Sequence, residues 1–360
     1  MLTLRGALAF ERSVYECPRC RQSKAPLDEE LGVRGHERMT RKVVKKVAYE
    51  DAVSSYPSAS KNLAHQAELE VSPAECARVA DQYGPQLEAR QRAREEAWAR
   101  PYTEEAPPAA PEIGAQRLVV EADATAVLTV AGEEHKMVYC ATAFALEDRL
   151  GRDESTSRPL IATRRYAAGA DFEDFKGRLK ALGKRMGAVR AQAMAFIGDG
   201  AAWLWLLAKE LFPGAVLIQD FWHVCEHLKA LIKELYGESE EAGTIYERWK
   251  AALWESRLGD ILAELEIEKK KRRGKMRERI EGEMNYLENG RERMDYARFR
   301  AAGWPIGSGA AEGTCKHLIK ERYNVTGARW KRAHIPHVLA LRLSIFNEEW
   351  EADWGELKVA

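Results

Sequence analysis

The order of hydrophobic patterns between Arg117 and Asp220 limits this chain more than any other feature. Arg117–Val130 alternates apolar and polar side chains and is rich in β-formers, and His135–Leu146 and Pro159–Tyr166 read as further strands. A period of two is what a strand buried on one face requires. Gly132 with Glu133 and Glu134 supplies a turn between the first two, which predicts an antiparallel hairpin. From Phe172 to Met186 the period becomes helical, with Phe172, Phe175, Leu179 and Leu182 on one side. Ala191–Ile197 reads as a short buried strand ending at Gly198-Asp199-Gly200, Ala201–Leu211 as an apolar helix, and Ala215–Gln219 as a strand ending at Asp220. The sequence therefore predicts an α/β fold: three strands, helix, strand, helix, strand.

An antiparallel meander followed by βαβ units is the ribonuclease H-like order, with a mixed sheet. In an open α/β sheet, ligands gather at the carboxyl ends of strands. Asp199 and Asp220 stand at two such ends, and Asp123 lies within the first strand, in Val119-Val-Glu-Ala-Asp123. An ionised Asp in an apolar strand is costly unless ionic partners compensate it. A divalent cation would do so, and magnesium needs only two or three carboxylates because it keeps part of its water. Two such ions about 3.5–4 Å apart would activate a water or a 3′-hydroxyl and stabilise the leaving oxygen in phosphodiester chemistry. Mg2+ or Mn2+ is the expected cofactor. Asp220 and His223 share a face if a helix starts there, and His227 lies one turn beyond His223. A zinc site is one reading; the other is that His223 hydrogen-bonds a phosphate or steadies a carboxylate.

The third acid comes from Gly303-Trp-Pro-Ile-Gly-Ser-Gly-Ala-Ala-Glu312-Gly-Thr-Cys-Lys316, a glycine-rich turn running into a helix. Ser308 is the expected N-cap, and Glu312 falls in the first turn, with Lys316 and Lys320 further along the same face. A lone Glu there would complement the helix dipole. With Asp123 and Asp199 upstream, a metal-binding carboxylate beside a phosphate track becomes the better reading. From Gly313 to Arg342 the chain carries Lys316, Lys320, Arg322, Arg329, Lys331, Arg332 and Arg342 against Glu321 alone, a local excess of six in a chain of zero formal charge. Gly327-Ala-Arg-Trp330-Lys-Arg interleaves an aromatic with cations, which suits phosphate contact and base stacking. The competing reading is a basic helix with a core Trp.

At 360 residues the chain can form two or more cored domains. Residues 1–39 hold Cys17-Pro-Arg-Cys20, half of a zinc-ribbon-like knuckle whose other half would lie upstream of Met1; His36 is a further donor. Residues 40–100 are helical, with a helix-turn-helix or a plain helical hairpin over Ser58–Leu69 and Ser72–Tyr83, then a charged helix from Gln86. The Pro-rich 101–114 is a linker. Residues 115–227 and 301–360 form the catalytic domain, and 228–300 is a charged helical insertion that includes Lys269–Arg273. No window reaches the apolar length of a membrane span, and Met1–Phe10 is not a signal peptide, so a soluble cytoplasmic protein is expected.

Gly198-Asp-Gly-Ala-Ala-Trp203, Phe212-Pro-Gly-Ala, Asp220-Phe-Trp-His-Val-Cys-Glu-His227 and Gly303 through Lys316 to Gly327-Ala-Arg-Trp330 resemble bacterial insertion-sequence transposases of the DDE type, specifically the Kra-type family, with Mutator-like relatives. The resemblance implies a ribonuclease H-like domain with a helical insertion, Asp123, Asp199 and Glu312 as a metal-holding catalytic triad, and Asp220 with His223 as the group's acid-x-x-His signature. It implies DNA, both element ends and target, as partner, and a homo-oligomer that pairs two ends. The sequence departs from the pattern at Ala124, where Gly is expected, and at the missing first half of the ribbon. The competing functions are a ribonuclease H-fold nuclease without joining activity and a DNA-binding regulator with an inert catalytic fold.

Overall fold

In the computed structural model, residues 1–9, 11, 13–27, 39–100, 110–112, 114, 116–146, 149–152, 159–161 and 164–356 are described. His36 and most of the expected linker lie outside them. The chain divides into two compact units. Unit 1 comprises Met1–Ala97, Thr125–Val138 and Lys316–Ala360; unit 2 comprises Trp98–Ala124 and Tyr139–Cys315.

A mixed sheet of five strands carries the architecture. The strands are β1 (Arg117–Val127), β2 (Lys136–Ala145), β3 (Arg164–Gly169), β4 (Ala193–Gly198) and β5 (Val216–Gln219), in the order β5-β4-β1-β2-β3. β4 is parallel to both β1 and β5, and β2 is antiparallel to β3. The chain between 127 and 136 is too short for a crossover, so β1 and β2 form a hairpin. The strand expected over Pro159–Tyr166 is divided: Pro159–Ile161 pairs with Arg149–Arg152, and only the chain from Arg164 joins the main sheet.

Alternation along β1 assigns its two faces. Leu118, Val120 and Ala122 pack with Phe196 and with Phe175 and Leu179 of α1 (Phe172–Arg185) and Leu204 of α2 (Ala202–Leu211). Val119 faces the other way, into a core shared by Ile197, Ile218 and the helices that follow: α3 (Phe221–Tyr236), α4 (Glu240–Trp254), α5 (Leu258–Lys271) and α6 (Gly274–Gly290). Trp249, Leu265, Ile280 and Leu287 are fully buried there, each such side chain contributing about 1.5–3 kcal/mol. The basic run at the end of α5 pairs with its own helix, Lys269 to Glu266 and Lys271 to Glu268. α7 (Tyr296–Ala301) and α8 (Gly309–Thr314) complete unit 2.

Unit 1 contains helices Arg41–Val53, Tyr56–Ala67, Ile335–Phe346 and most of Pro73–Ala99. The two helices expected from Ser72 and Gln86 are one, running through Gly84 and Pro85. Proline inside a helix costs about 3 kcal/mol. Buried Val79, Tyr83, Leu87 and Gln91 on both sides of Pro85 offset it, and Gln91 Nε2 donates to the Ala340 carbonyl at 2.8 Å. Gly84 is required by close approach, since a Cβ there would lie 2.6 Å from that of His337. Among the described residues no helix is long and apolar enough to cross a membrane.

Candidate active site

The register of the sheet sets the level of three acids. Ile197 of β4 pairs with Glu121 of β1 and with Ile218 of β5. Two residues further along each strand stand Asp123, Asp199 and Asp220. The Asp220 N–H donates to the Gly198 carbonyl at 2.8 Å, which carries the pairing of β4 and β5 past their ends. Side chains at i and i+2 share a face, so Glu121 and Asp123 lie on the Val119 side of the sheet, toward α3 and the helices after it.

The surroundings then separate these acids. Asp123 and Asp199 are half-buried, and each holds its own turn: Ala124 N–H donates to Asp123 Oδ1 at 2.7 Å, and Ala201 N–H to Asp199 Oδ1 at 2.9 Å. Asp220 is 8% exposed, and both its oxygens accept. Oδ1 caps α3 through the N–H groups of Trp222 and His223, at 2.6 and 3.1 Å. Oδ2 takes the N–H and hydroxyl of Ser308, at 2.6 and 2.5 Å. Asp220 is thus a staple between the end of β5 and the Gly303–Lys316 stretch.

That stretch is fastened at three further points. Arg117 Nη2 donates to the Ala302 carbonyl at 2.6 Å and its guanidinium lies 4.2 Å from the centre of the Trp304 ring. The Phe221 N–H donates to the Ile306 carbonyl at 2.8 Å. Glu121, 2% exposed, accepts from the Ala311 N–H at 2.8 Å. Ser308 stands at the N-cap position of α8 without a side-chain cap bond, since its hydroxyl goes to Asp220. Glu121 does the capping from β1 instead, a role the sequence reading did not assign. Its signal was present in the alternation, which puts Glu121 on the same face as Asp123. A Cβ at Gly307 would sit 3.0 Å from the Trp222 ring, which would have to shift by a few tenths of an ångström. Glu312 follows Ala311 directly, in the first turn, and is exposed.

Residues of α6 brace Asp199 and His227, a role the sequence did not reveal. The Tyr286 hydroxyl donates to the Asp199 carbonyl at 3.4 Å, and its ring stacks on His227 at 4.3 Å. Burial pushes the Tyr286 phenol above its ordinary pKa, so it stays a donor. His227 Nδ1 lies 3.4 Å from the buried Glu283, which Arg279 also pairs at 2.8 Å. Burial alone would raise the Glu283 carboxyl; His227 and Arg279 outweigh it and hold it low. His223 is half-exposed, with its ring 5.0 Å from that of His227.

Asp123, Asp199 and Glu312 offer carboxylate oxygens alone, the donor set a hard divalent cation takes. Among the described residues no group of three His, Cys, Asp or Glu side chains is gathered closely enough to hold a metal ion. The fit of Mg2+ or Mn2+ thus rests on donor type and on the shared level of Asp123 and Asp199.

The other expected site residues lie in unit 1. Cys17 and Cys20 are exposed on a turn between the paired segments Tyr15–Glu16 and Ser23–Lys24. The backbone N–H groups of Cys20 and Arg19, then the Cys20 thiol, hold the Cys17 thiol below its ordinary pKa. Lys316, Lys320, Arg329 and Lys331 are exposed and Arg332 half-exposed. Arg322 and Trp330 are not available in this way. Arg322 is buried, donates to the Asp51 carbonyl at 2.7 Å and lies against the rings of Tyr56 and Trp330. Trp330 is buried, with Nε1 donating to the Tyr323 carbonyl at 3.1 Å. Their placement is that of a core Trp with its cation. No protein-family model matches the chain, and no curated protein matches it.

Proposed function

We propose that the chain is a metal-dependent DNA strand-transfer enzyme, a transposase of the DDE type on a ribonuclease H-like domain with a helical insertion. The observation that carries this reading is the common level of Asp123 and Asp199 on adjacent parallel strands, with Glu312 on a helix fastened to β1 by Glu121 and to the end of β5 by Asp220. The sheet order supports it, being a meander followed by two strands parallel to the first.

Asp123, Asp199 and Glu312 would hold Mg2+ or Mn2+, which when bound polarises a phosphodiester and lowers the pKa of an attacking water. Asp220 and Glu121 hold the Glu312 helix in place. His223 would donate a hydrogen bond to a phosphate oxygen. A water first attacks phosphorus at the element's end, and the 3′-oxygen leaves as a hydroxyl. That hydroxyl then attacks a target phosphorus, joining one bond as it displaces another. Lys316, Lys320, Arg329, Lys331 and Arg332 would contact phosphates, and two copies would pair two ends.

The test is strand transfer with a short duplex carrying a pre-cleaved candidate end, in magnesium or manganese, comparing wild type with Glu312→Gln. Joining by wild type and none by the variant is expected. Cutting without joining would make the chain a nuclease. DNA binding with no metal-dependent reaction in either protein would make it an inert regulator, and equal joining by both would remove Glu312 from the triad.

A further inference from the structure

We propose that the cavity between the edge strand β5 and the chain that joins α6 to α7 binds a phosphate-bearing ligand, seated on Arg293 and Lys209. The cavity has a volume of about 720 Å3 and is walled by Val216, Leu217, Met294 and Phe299. That is the size of a small-molecule site and far more than one phosphate needs. The apolar wall would take the sugar or base, and the cations the phosphate.

Arg293 is the group that asks for an anion. Its guanidinium lies 4.8 Å from the centre of the Trp205 ring, and Nη2 donates to the Asn289 carbonyl at 2.5 Å. Its Nε is buried with no hydrogen-bond partner, and among the described residues no carboxylate lies within ion-pair distance of it. Burial lowers its pKa, the mark of a cation short of compensation. A phosphate would supply it, since a guanidinium fork matches two phosphate oxygens. Lys209, exposed on α2, is likewise unpaired. The other cations at the cavity are neutralised, Arg291 by Glu288 at 2.7 Å and Arg298 by Asp295 at 3.1 Å. Glu292 is exposed and leaves two cations against one acid.

This site is separate from the acid row. Val216 and Leu217 open β5, whereas Asp220 follows its end, roughly 10–13 Å along the strand. The inference therefore does not depend on strand-transfer activity. It is tested by calorimetric titration of the full chain with inorganic pyrophosphate, with a deoxynucleoside monophosphate and with a short single-stranded oligonucleotide. Arg293→Gln should weaken binding at least about tenfold, and Lys209→Glu, on an exposed helix face, should weaken it comparably without affecting the fold. Binding of pyrophosphate and the monophosphate identifies a free nucleotide as the ligand class; binding of the oligonucleotide alone, weakened in both cavity variants, identifies a phosphodiester backbone. Wild type that binds none of the three, or binding equal in wild type and both cavity variants, overturns the proposal.

Discussion

The acids at the strand ends and the cations after Glu312 look equivalent as runs of charge, yet the fold treats them oppositely. Asp123 and Asp199 are half-buried and Glu312 is exposed, each reachable from outside. In the basic stretch the two most specific-looking residues, Arg322 and Trp330, are interior. Arg342, buried as well, donates to the carbonyls of Leu318, Ala52 and His317, which backbone already turned inward leaves for it. A guanidinium can satisfy several buried carbonyls at once, whereas a carboxylate has no donors to offer them. Sequence excess of one sign therefore counts interior staples together with surface contacts, and only burial divides them.

The sharpest way to break this contrast is Asp199→Asn. If the acids serve chemistry, joining should fall by at least about a thousandfold, near 4 kcal/mol in the barrier, while thermal stability hardly changes. A large loss of melting temperature would put Asp199 with the structural charges instead. Arg322→Ala should do the reverse, destabilising unit 1 by about 2–5 kcal/mol, because it leaves the buried Asp51 carbonyl without its donor and a cavity against the Tyr56 and Trp330 rings. Denaturant unfolding would measure it, and a change under 1 kcal/mol would mean that Arg322 is not the staple its contacts indicate.

Asp51 sharpens the same point through pH. It is fully buried, and burial, against the opposing charge of Arg322, pushes its carboxyl from 3.8 up to about 7. The folded state therefore binds a proton that the unfolded chain releases near pH 4. Stability from this group is complete below about pH 4 and is lost as pH rises toward 7, by up to roughly 4 kcal/mol. Asp51→Asn should flatten that slope, which unfolding curves at pH 5 and pH 8 would reveal. The smallest effect belongs to the exposed cations. Lys316→Gln and Lys331→Gln should alter stability by less than about 0.5 kcal/mol. If they touch DNA, each should lower the slope of log affinity against log salt by about one.

Much of the sheet was legible because its signal is local. Phe172, Phe175, Leu179 and Leu182 mark a helix whatever lies elsewhere, and α1 spans Phe172–Arg185 as that spacing predicts. Gly198-Asp199-Gly200 marks a strand end for the same reason. What was illegible depends on partners distant in sequence. Alternation puts Glu121 on the face of Asp123 but does not point to the helix starting at Gly309 that it caps, and nothing near Arg322 announces that Tyr56 covers it. The break expected between Tyr83 and Gln86 is absent because the local penalty of Pro85 is outweighed by burial on both flanks. Tyr286 lay in a charged helical run whose periodicity gave no reason to single out one aromatic.

The pairing of Ile197 with Glu121 and with Ile218 has a consequence for how such a chain can vary. Three acids separated by dozens of residues are aligned only because each strand reaches them after the same number of rungs. Deleting one residue from β1 ahead of Asp123 would turn its side chain through the sheet, among Leu118 and Phe196, and bury a carboxylate in hydrocarbon. Two deletions would restore the face but leave the acid a full pleat, roughly 7 Å, short of its neighbour. The strands thus behave as a vernier that tolerates almost any exchange of apolar side chains and no change of length. Insertions are confined to the connections, and the long helical excursion after β5 sits at a place where length is free.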